Sequence, residues 1–238
     1  MRPPRAICAG ALAGVALLAT GSACRLVAQD TEATDAGATA STSRQIAPTM
    51  SYVHADWLTR PEREEEEHPD RLMGALGIPR GSTVIDFGAG VGYFTWRLAR
   101  RVGPEGRVLA VDIQPEMLEM LTANMRERGI GNVETILSTN EDSGLPSNAA
   151  DLALFVDVYH ELAYPARTMG EVRDALKPEG RLVVVEYRKE EPWIPIHPLH
   201  KMTAQEVRDE IEPMGFDFVE LLDFLPRQHV VIFKPSRD

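Results

Sequence analysis

The chain has 238 residues, a length that allows one domain with extensions. Its 36 acidic and 25 basic residues leave a net charge of −11, the wrong sign for a general nucleic-acid partner or a polybasic membrane surface. Two cysteines, Cys8 and Cys24, exclude a disulfide scaffold and a cysteine zinc cluster, and no apolar run is long enough for a membrane-spanning helix.

In chain order, Arg2 and Arg5 form a positive n-region, Ile7 to Ala19 an uncharged apolar stretch, and Gly21-Ser22-Ala23 a small-residue cleavage site. Residues 1–23 therefore read as a signal peptide, which makes the protein exported. Cys24 directly follows and resembles a bacterial lipoprotein acceptor, which would give a periplasmic or lipid-anchored protein. Ordinary cleavage or an uncleaved anchor is the alternative, since Gly21 stands where lipoprotein signals carry Leu. Cleavage would remove two arginines and no acid, taking the charge from −11 to −13. Residues 24–50 are rich in Ala, Thr, Ser and Asp and too poor in large apolar side chains to offset ordering entropy. They read as a flexible linker to a domain over residues 51–238.

Within that domain, Thr83 to Phe87 is a β-branched strand and Gly92 to Val102 a helix with Phe94, Leu98 and Val102 on one stripe. Arg107 to Val111 is the second strand. Pro115 to Arg128 is the second helix, with proline in its first turn. Its Met-rich apolar face reads as core. Strands at Val133–Leu137, Leu152–Val156 and Leu182–Val185 follow, with a helix at Pro165–Leu176 between the last two. Thr203 to Glu206 is a capping box opening a helix that ends near Gly215, and Phe216–Leu222 with Val230–Phe233 close the chain as a strand pair. Such alternation predicts a parallel sheet covered by helices on both faces, with ligands at the carboxyl ends of its strands.

Asp86-Phe87-Gly88-Ala89-Gly90-Val91-Gly92-Tyr93-Phe94 lies between the first strand and its helix. Its glycines allow a tight turn and close approach of a ligand to the backbone. A dinucleotide fingerprint needs a further glycine where Tyr93 stands, which counts against an NAD-dependent oxidoreductase. Asp112 ends the second strand, where an acid can accept hydrogen bonds from both ribose hydroxyls of an adenosine ligand.

These stretches, with Val108–Leu118 (VLAVDIQPEML) and Leu176–Val185 (LKPEGRLVVV), resemble the successive motifs of class I S-adenosylmethionine-dependent methyltransferases. Trp57 to Arg63 (WLTRPER), Asp157-Val158-Tyr159-His160-Glu161 and Phe224 to His229 (FLPRQH) resemble in particular a bacterial subgroup of exported small methyltransferases. The resemblance spans roughly residues 55–238. It implies an α/β fold: a three-layer α/β/α Rossmann-like sandwich whose mostly parallel seven-stranded sheet has an antiparallel last strand. It also implies S-adenosyl-L-methionine as cofactor. Asp86, Gly88, Ala89, Gly90, Gly92, Tyr93 and Asp157 would surround its methionine end and backbone, and Asp112 its ribose. Ile113 and the loop at Glu141 and Asp142 would lie near the adenine. Residues Trp57 to Met73 would form a helical lid, with Trp57 and Arg60 as contacts.

Methyl transfer from a sulfonium is an in-line displacement, so placement of a small-molecule acceptor carries most of the acceleration. His160 could act as base and Tyr159 beside it as a second catalytic group, or both could merely line the pocket. Glu186 reads equally as a strand-end salt bridge or a substrate contact. His197 and His200 invite a metal reading with Glu186 or His160 as third ligand. The intervening prolines argue against a helical ligand pair, and no further cluster is visible, so no metal is expected. The acidic run Glu64 to Glu67 reads as a solvated helix face. A non-catalytic exported binding protein on the same fold is the remaining alternative.

Overall fold

A computed structural model describes residues 44–236. The expected signal peptide, Cys24 and the linker through residue 43 lie outside the described residues. The strands are β1 (Thr83–Phe87), β2 (Arg107–Asp112), β3 (Val133–Leu137), β4 (Ala150–Val156), β5 (Leu176–Arg188), β6 (Lys201–Met202), β7 (Phe216–Leu222) and β8 (Gln228–Pro235). The helices are α1 (Arg63–Glu67), α2 (Pro69–Ala75), α3 (Thr95–Val102), α4 (Pro115–Glu127), α5 (Pro165–Ala175) and α6 (Ala204–Ile211). None is long and apolar enough to cross a membrane.

The strands alternate with period two between two buried faces. Val84, Val108, Leu154 and Val183 pack with Leu72 of α2, Leu76 just beyond its end and Leu98 of α3. Ile85, Leu109, Phe155 and Val184 pack with Met169 and Val172 of α5 and Val207 and Ile211 of α6. Coverage on both faces is why these strands read as nearly continuous apolar runs. Seven strands follow the order β3-β2-β1-β4-β5-β8-β7, and the two-residue β6 pairs with β5 off this path. β1 to β5 are parallel, and β8 runs antiparallel to both β5 and β7. The Rossmann-like sandwich and its antiparallel last strand are thus as expected. From β1 the chain steps outward to β2 and β3, then returns to the other side of β1 with β4. That switch opens a cleft beyond the carboxyl ends of β1 and β4.

Three local differences from the expectation have physical causes. α3 begins at Thr95 rather than Gly92, because Gly88, Gly90 and Gly92 all have positive φ and hold the chain in turns. The lid is not one helix but a 3₁₀ segment (Tyr52–Thr59) followed by α1 and α2. His68 at φ 47° breaks the last two, and Pro69 cannot continue the preceding turn. The linker ends before residue 50. Arg44 pairs with Glu210 at 3.0 Å and donates to the carbonyls of His160 (2.8 Å) and Tyr159 (3.2 Å). Ala47 is buried and its amide donates to His160 O at 3.2 Å. Gln114 then clamps the next turn, accepting from Tyr52 N and donating to Met50 O, both at 2.9 Å.

Candidate active site

A cavity of about 580 Å³ opens at the switch point. Its first wall is the loop after β1. Gly88 (φ 70°) lies against Val158, so that a Cβ there would run into the valine side chain; Gly90 (φ 52°) would meet Leu58 Cδ1 at 2.9 Å. Gly92 is different: it faces Leu121 and Met125 of α4 and does not line the cavity, so its part is packing.

Asp112 at the end of β2 accepts from Gly90 N at 2.8 Å and from Gln114 N at 2.9 Å. The glycine loop and the acid therefore fix one another. Burial pushes the Asp112 carboxyl up, against backbone hydrogen bonds from Gln114, Gly90 and Ile113. Asp86 accepts from Thr95 Oγ1 at 2.6 Å, and its pKa is pushed up to about 6, mainly by burial with a contribution from Asp112. Ile113 lines the cavity and is partly exposed. From the loop after β3, Ser138, Thr139 and Asn140 line it, whereas Glu141 and Asp142 are exposed and stand outside it. Thr139 turns that loop outward by accepting from the amides of Glu141 (3.1 Å) and Asp142 (2.9 Å).

A second polar group was hidden in the acidic run. Glu67 is 1% exposed, not solvated, and accepts from Arg63 Nε at 2.8 Å and Tyr187 Oη at 2.9 Å. Glu64 accepts from Tyr93 Oη at 3.0 Å and pairs with Arg97, and Glu66 pairs with Arg60 and with Arg227. Asp157, at φ 53°, accepts from Gln228 Nε2 at the start of β8 at 2.7 Å. Burial, then Glu67 and Glu186, hold the Asp157 carboxyl well above the usual range. Among the described residues, four buried side-chain polar atoms lack a partner, and Arg60 Nε, Glu67 Oε2 and Asp157 Oδ1 are three of them. All three residues line this cavity. An unpaired buried polar atom costs roughly 1–3 kcal/mol, which a ligand can recover.

The third group centres on the 3₁₀ turn after β4. His160 Nδ1 meets Glu186 Oε2 at 2.6 Å, and its Nε2 meets His200 Nδ1 at 3.0 Å. Burial alone would lower the His160 pKa, but the charge and hydrogen bond of Glu186, with Glu161, outweigh it and raise it. Glu161 is pushed up to about 7, chiefly by burial, and His200 is lowered by burial and by His160 and His197. Glu186, fully buried near the end of β5, thus pairs with His160 as a strand-end partner and does not itself line the cavity. Tyr159 does not join His160: it is fully buried, outside the cavity lining, with its hydroxyl on Glu210 Oε2 at 3.1 Å. Consecutive residues of the 3₁₀ turn Tyr159–Glu161 point in different directions, so only His160 and Glu161 reach the cavity.

Residues 78–220, more than half of the chain, match the family described as "Methyltransferase domain". The chain belongs to that family. Over 114 residues it is 34% identical to the ubiquinone/menaquinone biosynthesis C-methyltransferase UbiE of Enterobacter sp. (strain 638), a match covering 48% of this chain and 45% of the relative. The chain thus spans less than half the length of the curated relatives it matches. A SAM-dependent methyltransferase from Aquifex aeolicus superposes with a TM-score of 0.74 at 26% identity, covering 78% of this chain and 98% of that one. A TehB-like SAM-dependent methyltransferase from Corynebacterium glutamicum ATCC 13032 Kitasato superposes at 0.58 with 15% identity, over 78% of this chain and 100% of that one; it shows the fold alone. S-adenosylmethionine is the cofactor of this methyltransferase domain, and the cavity suits it. The two unpaired carboxylate oxygens, Glu67 Oε2 and Asp157 Oδ1, match a cationic amino acid, and Arg60 Nε offers a donor to its carboxylate.

Proposed function

We propose that the domain transfers the methyl group of S-adenosylmethionine to a small-molecule acceptor bound beside His160. The observation that carries the reading is Asp112, whose Oδ2 accepts from Gly90 N and Oδ1 from Gln114 N at the cavity wall, with a further backbone hydrogen bond from Ile113. That leaves acceptor lone pairs for a pair of ribose hydroxyls. The cofactor supplies a methyl group already activated on a sulfonium. The chain's residues bind and orient: Asp112 the ribose, Ile113 and Ser138 to Asn140 the base, Glu67, Asp157 and Arg60 the amino-acid end. Acidic walls suit a cationic ligand. Pro48 to Ser51, His54, Trp57 and Leu58 line the cavity and narrow the space left for an acceptor. A volume of about 580 Å³ lies in the range of roughly 300–1,000 Å³ typical of small-molecule pockets. His160, oriented by Glu186, presents Nε2 toward the acceptor side, an atom able to take a proton or a cation.

Calorimetric titration with S-adenosylhomocysteine tests this. One-to-one binding is expected, with affinity falling at least about 100-fold in Asp112→Ala, because two hydrogen bonds to a charged group are worth about 3 kcal/mol or more. No binding to the unaltered protein overturns the reading, and binding of NAD instead supports an oxidoreductase. The curated relative is named for C-methylation in ubiquinone/menaquinone biosynthesis, so hydroxylated aromatic rings head the panel of acceptors. A protein that binds the donor yet methylates no acceptor on a broad panel is a binding protein.

The charged and apolar pattern of residues 1–23 supports export, and the position of Cys24 directly after the small-residue site supports lipid attachment there, with ordinary cleavage as the alternative. Labelled fatty acid should enter the protein in the bacterium and be lost in Cys24→Ala; unlabelled protein retained in the cytosol would refute it.

A further inference from the structure

We propose that His160 Nε2, Glu161 Oε1 and His200 Nδ1 form a binding site for one divalent transition-metal ion, which holds an ionisable hydroxyl oxygen of the acceptor. The proposal rests on the methyltransferase reading for its substrate class, but the metal site stands on its own geometry.

The three atoms lie within 4.8 Å of one another. The pairs are 3.0 Å apart for His160 with His200, 3.7 Å for His200 with Glu161 and 4.0 Å for His160 with Glu161. Ligands about 2.0–2.2 Å from one tetrahedral ion stand about 3.3–3.6 Å from each other, so a small side-chain adjustment closes the triad around an ion. Two imidazoles and one carboxylate form a donor set suited to zinc, iron or cobalt, with coordination positions left open.

The surroundings of the triad fit the same role. His160 holds its second ring nitrogen on the fully buried Glu186 at 2.6 Å. A carboxylate behind a histidine fixes the tautomer and aims the other nitrogen, the arrangement found behind metal-bound histidines. Glu161 is held by a backbone hydrogen bond from Met50. His200 ends a 3₁₀ turn that leads directly into β6, where Lys201 and Met202 pair with Tyr187 and Arg188. The three ligands thus hang from two short 3₁₀ turns, His160 and Glu161 from the one that follows β4 and His200 from the one that leads into β6. All three line the cavity. The open side of the ion would therefore face the acceptor. That selects a phenol or enol, whose oxygen a divalent cation acidifies, over an amine.

The test uses the full chain, prepared without a polyhistidine tag and stripped with a chelator, titrated with cobalt(II). One equivalent should produce the visible absorption bands of four- or five-coordinate cobalt. His200→Ala and Glu161→Ala should each weaken binding at least 100-fold while circular dichroism stays unchanged. Glu186→Gln keeps the three ligands and should weaken binding about 10–100-fold with shifted bands, a spectral change that a purely structural role would not produce. Absence of the bands, or bands that survive in His200→Ala, overturns the site. Calorimetry with S-adenosylhomocysteine on the same samples separates the two proposals. Intact donor binding without cobalt bands rejects the metal alone, and cobalt bands without donor binding uphold the metal and reject the methyl-transfer reading.

Discussion

The end of the cavity proposed for the donor draws its wall from Asp86 to Val91 and Tyr93, Asp112 to Gln114 and Ser138 to Asn140, at the carboxyl ends of three neighbouring strands taken in chain order. The end proposed for the acceptor combines Pro48 to Ser51, His160 to Ala163, Pro195 to His197 and His200, brought together from distant parts of the domain. The donor end is held largely by backbone: glycines at positive φ and amides that grip Asp112. The acceptor end is held by side chains that grip one another, as in Glu186–His160–His200 and Arg44–Glu210. A backbone-built site admits few changes of sequence, whereas a side-chain-built one can be rewritten for another acceptor on the same scaffold.

Substitutions can break this contrast. The largest effect is expected at Gly88→Ala, where the strained φ adds to the collision with Val158, for a loss of about 2–4 kcal/mol in denaturant unfolding. A loss below 1 kcal/mol would show that the loop is more plastic than its backbone implies. Next comes pH. A cationic donor favours the ionised form of Asp86, and that carboxyl ionises only above about 6. S-adenosylmethionine affinity should therefore fall about tenfold as the pH drops from 7 to 5, one unit below that pKa. Asp86→Asn should flatten the profile in calorimetry. At the acceptor end, Arg44→Ala removes the clamp on the carbonyls of Tyr159 and His160. Amide exchange at Ala47 should accelerate about tenfold, equivalent to about 1.4 kcal/mol, while S-adenosylhomocysteine affinity changes less than threefold. A larger loss of donor affinity would mean that the two ends are not separable. The smallest effect is expected outside both: a Cβ at Gly74 of α2 meets nothing within 4 Å, so Gly74→Ala should raise stability by about 0.4–1 kcal/mol.

The strands and most helices were legible because burial on both sheet faces imprints apolar runs, and because Pro115 and Thr203 mark helix starts locally. Asp86, Gly88, Gly90 and Asp112 were legible because the loop they form is short and its partners sit one crossover apart. Glu67 was misread because four consecutive glutamates look solvated. Nothing local reveals that α1 turns one of them onto Arg63 and Tyr187. Tyr159 was placed with His160 because they are neighbours in sequence, although the 3₁₀ turn sends their side chains apart. Glu141 and Asp142 matched an expected loop by position, but the Thr139 turn faces them outward.

By itself the sequence determined the sheet and the glycine loop with Asp112 beyond it, since each follows from patterning along a short stretch of chain, and the resemblance of those motifs to a family supplied the methyl donor. Only the tertiary structure decided that His160 and Glu161 meet His200 with Glu186 behind them, and that residues 44–50 cover them. Those meetings depend on strand order and on the register of β5 with β6 and β8. Strand register is set by the packing of the whole sheet, not by the residues that it brings together.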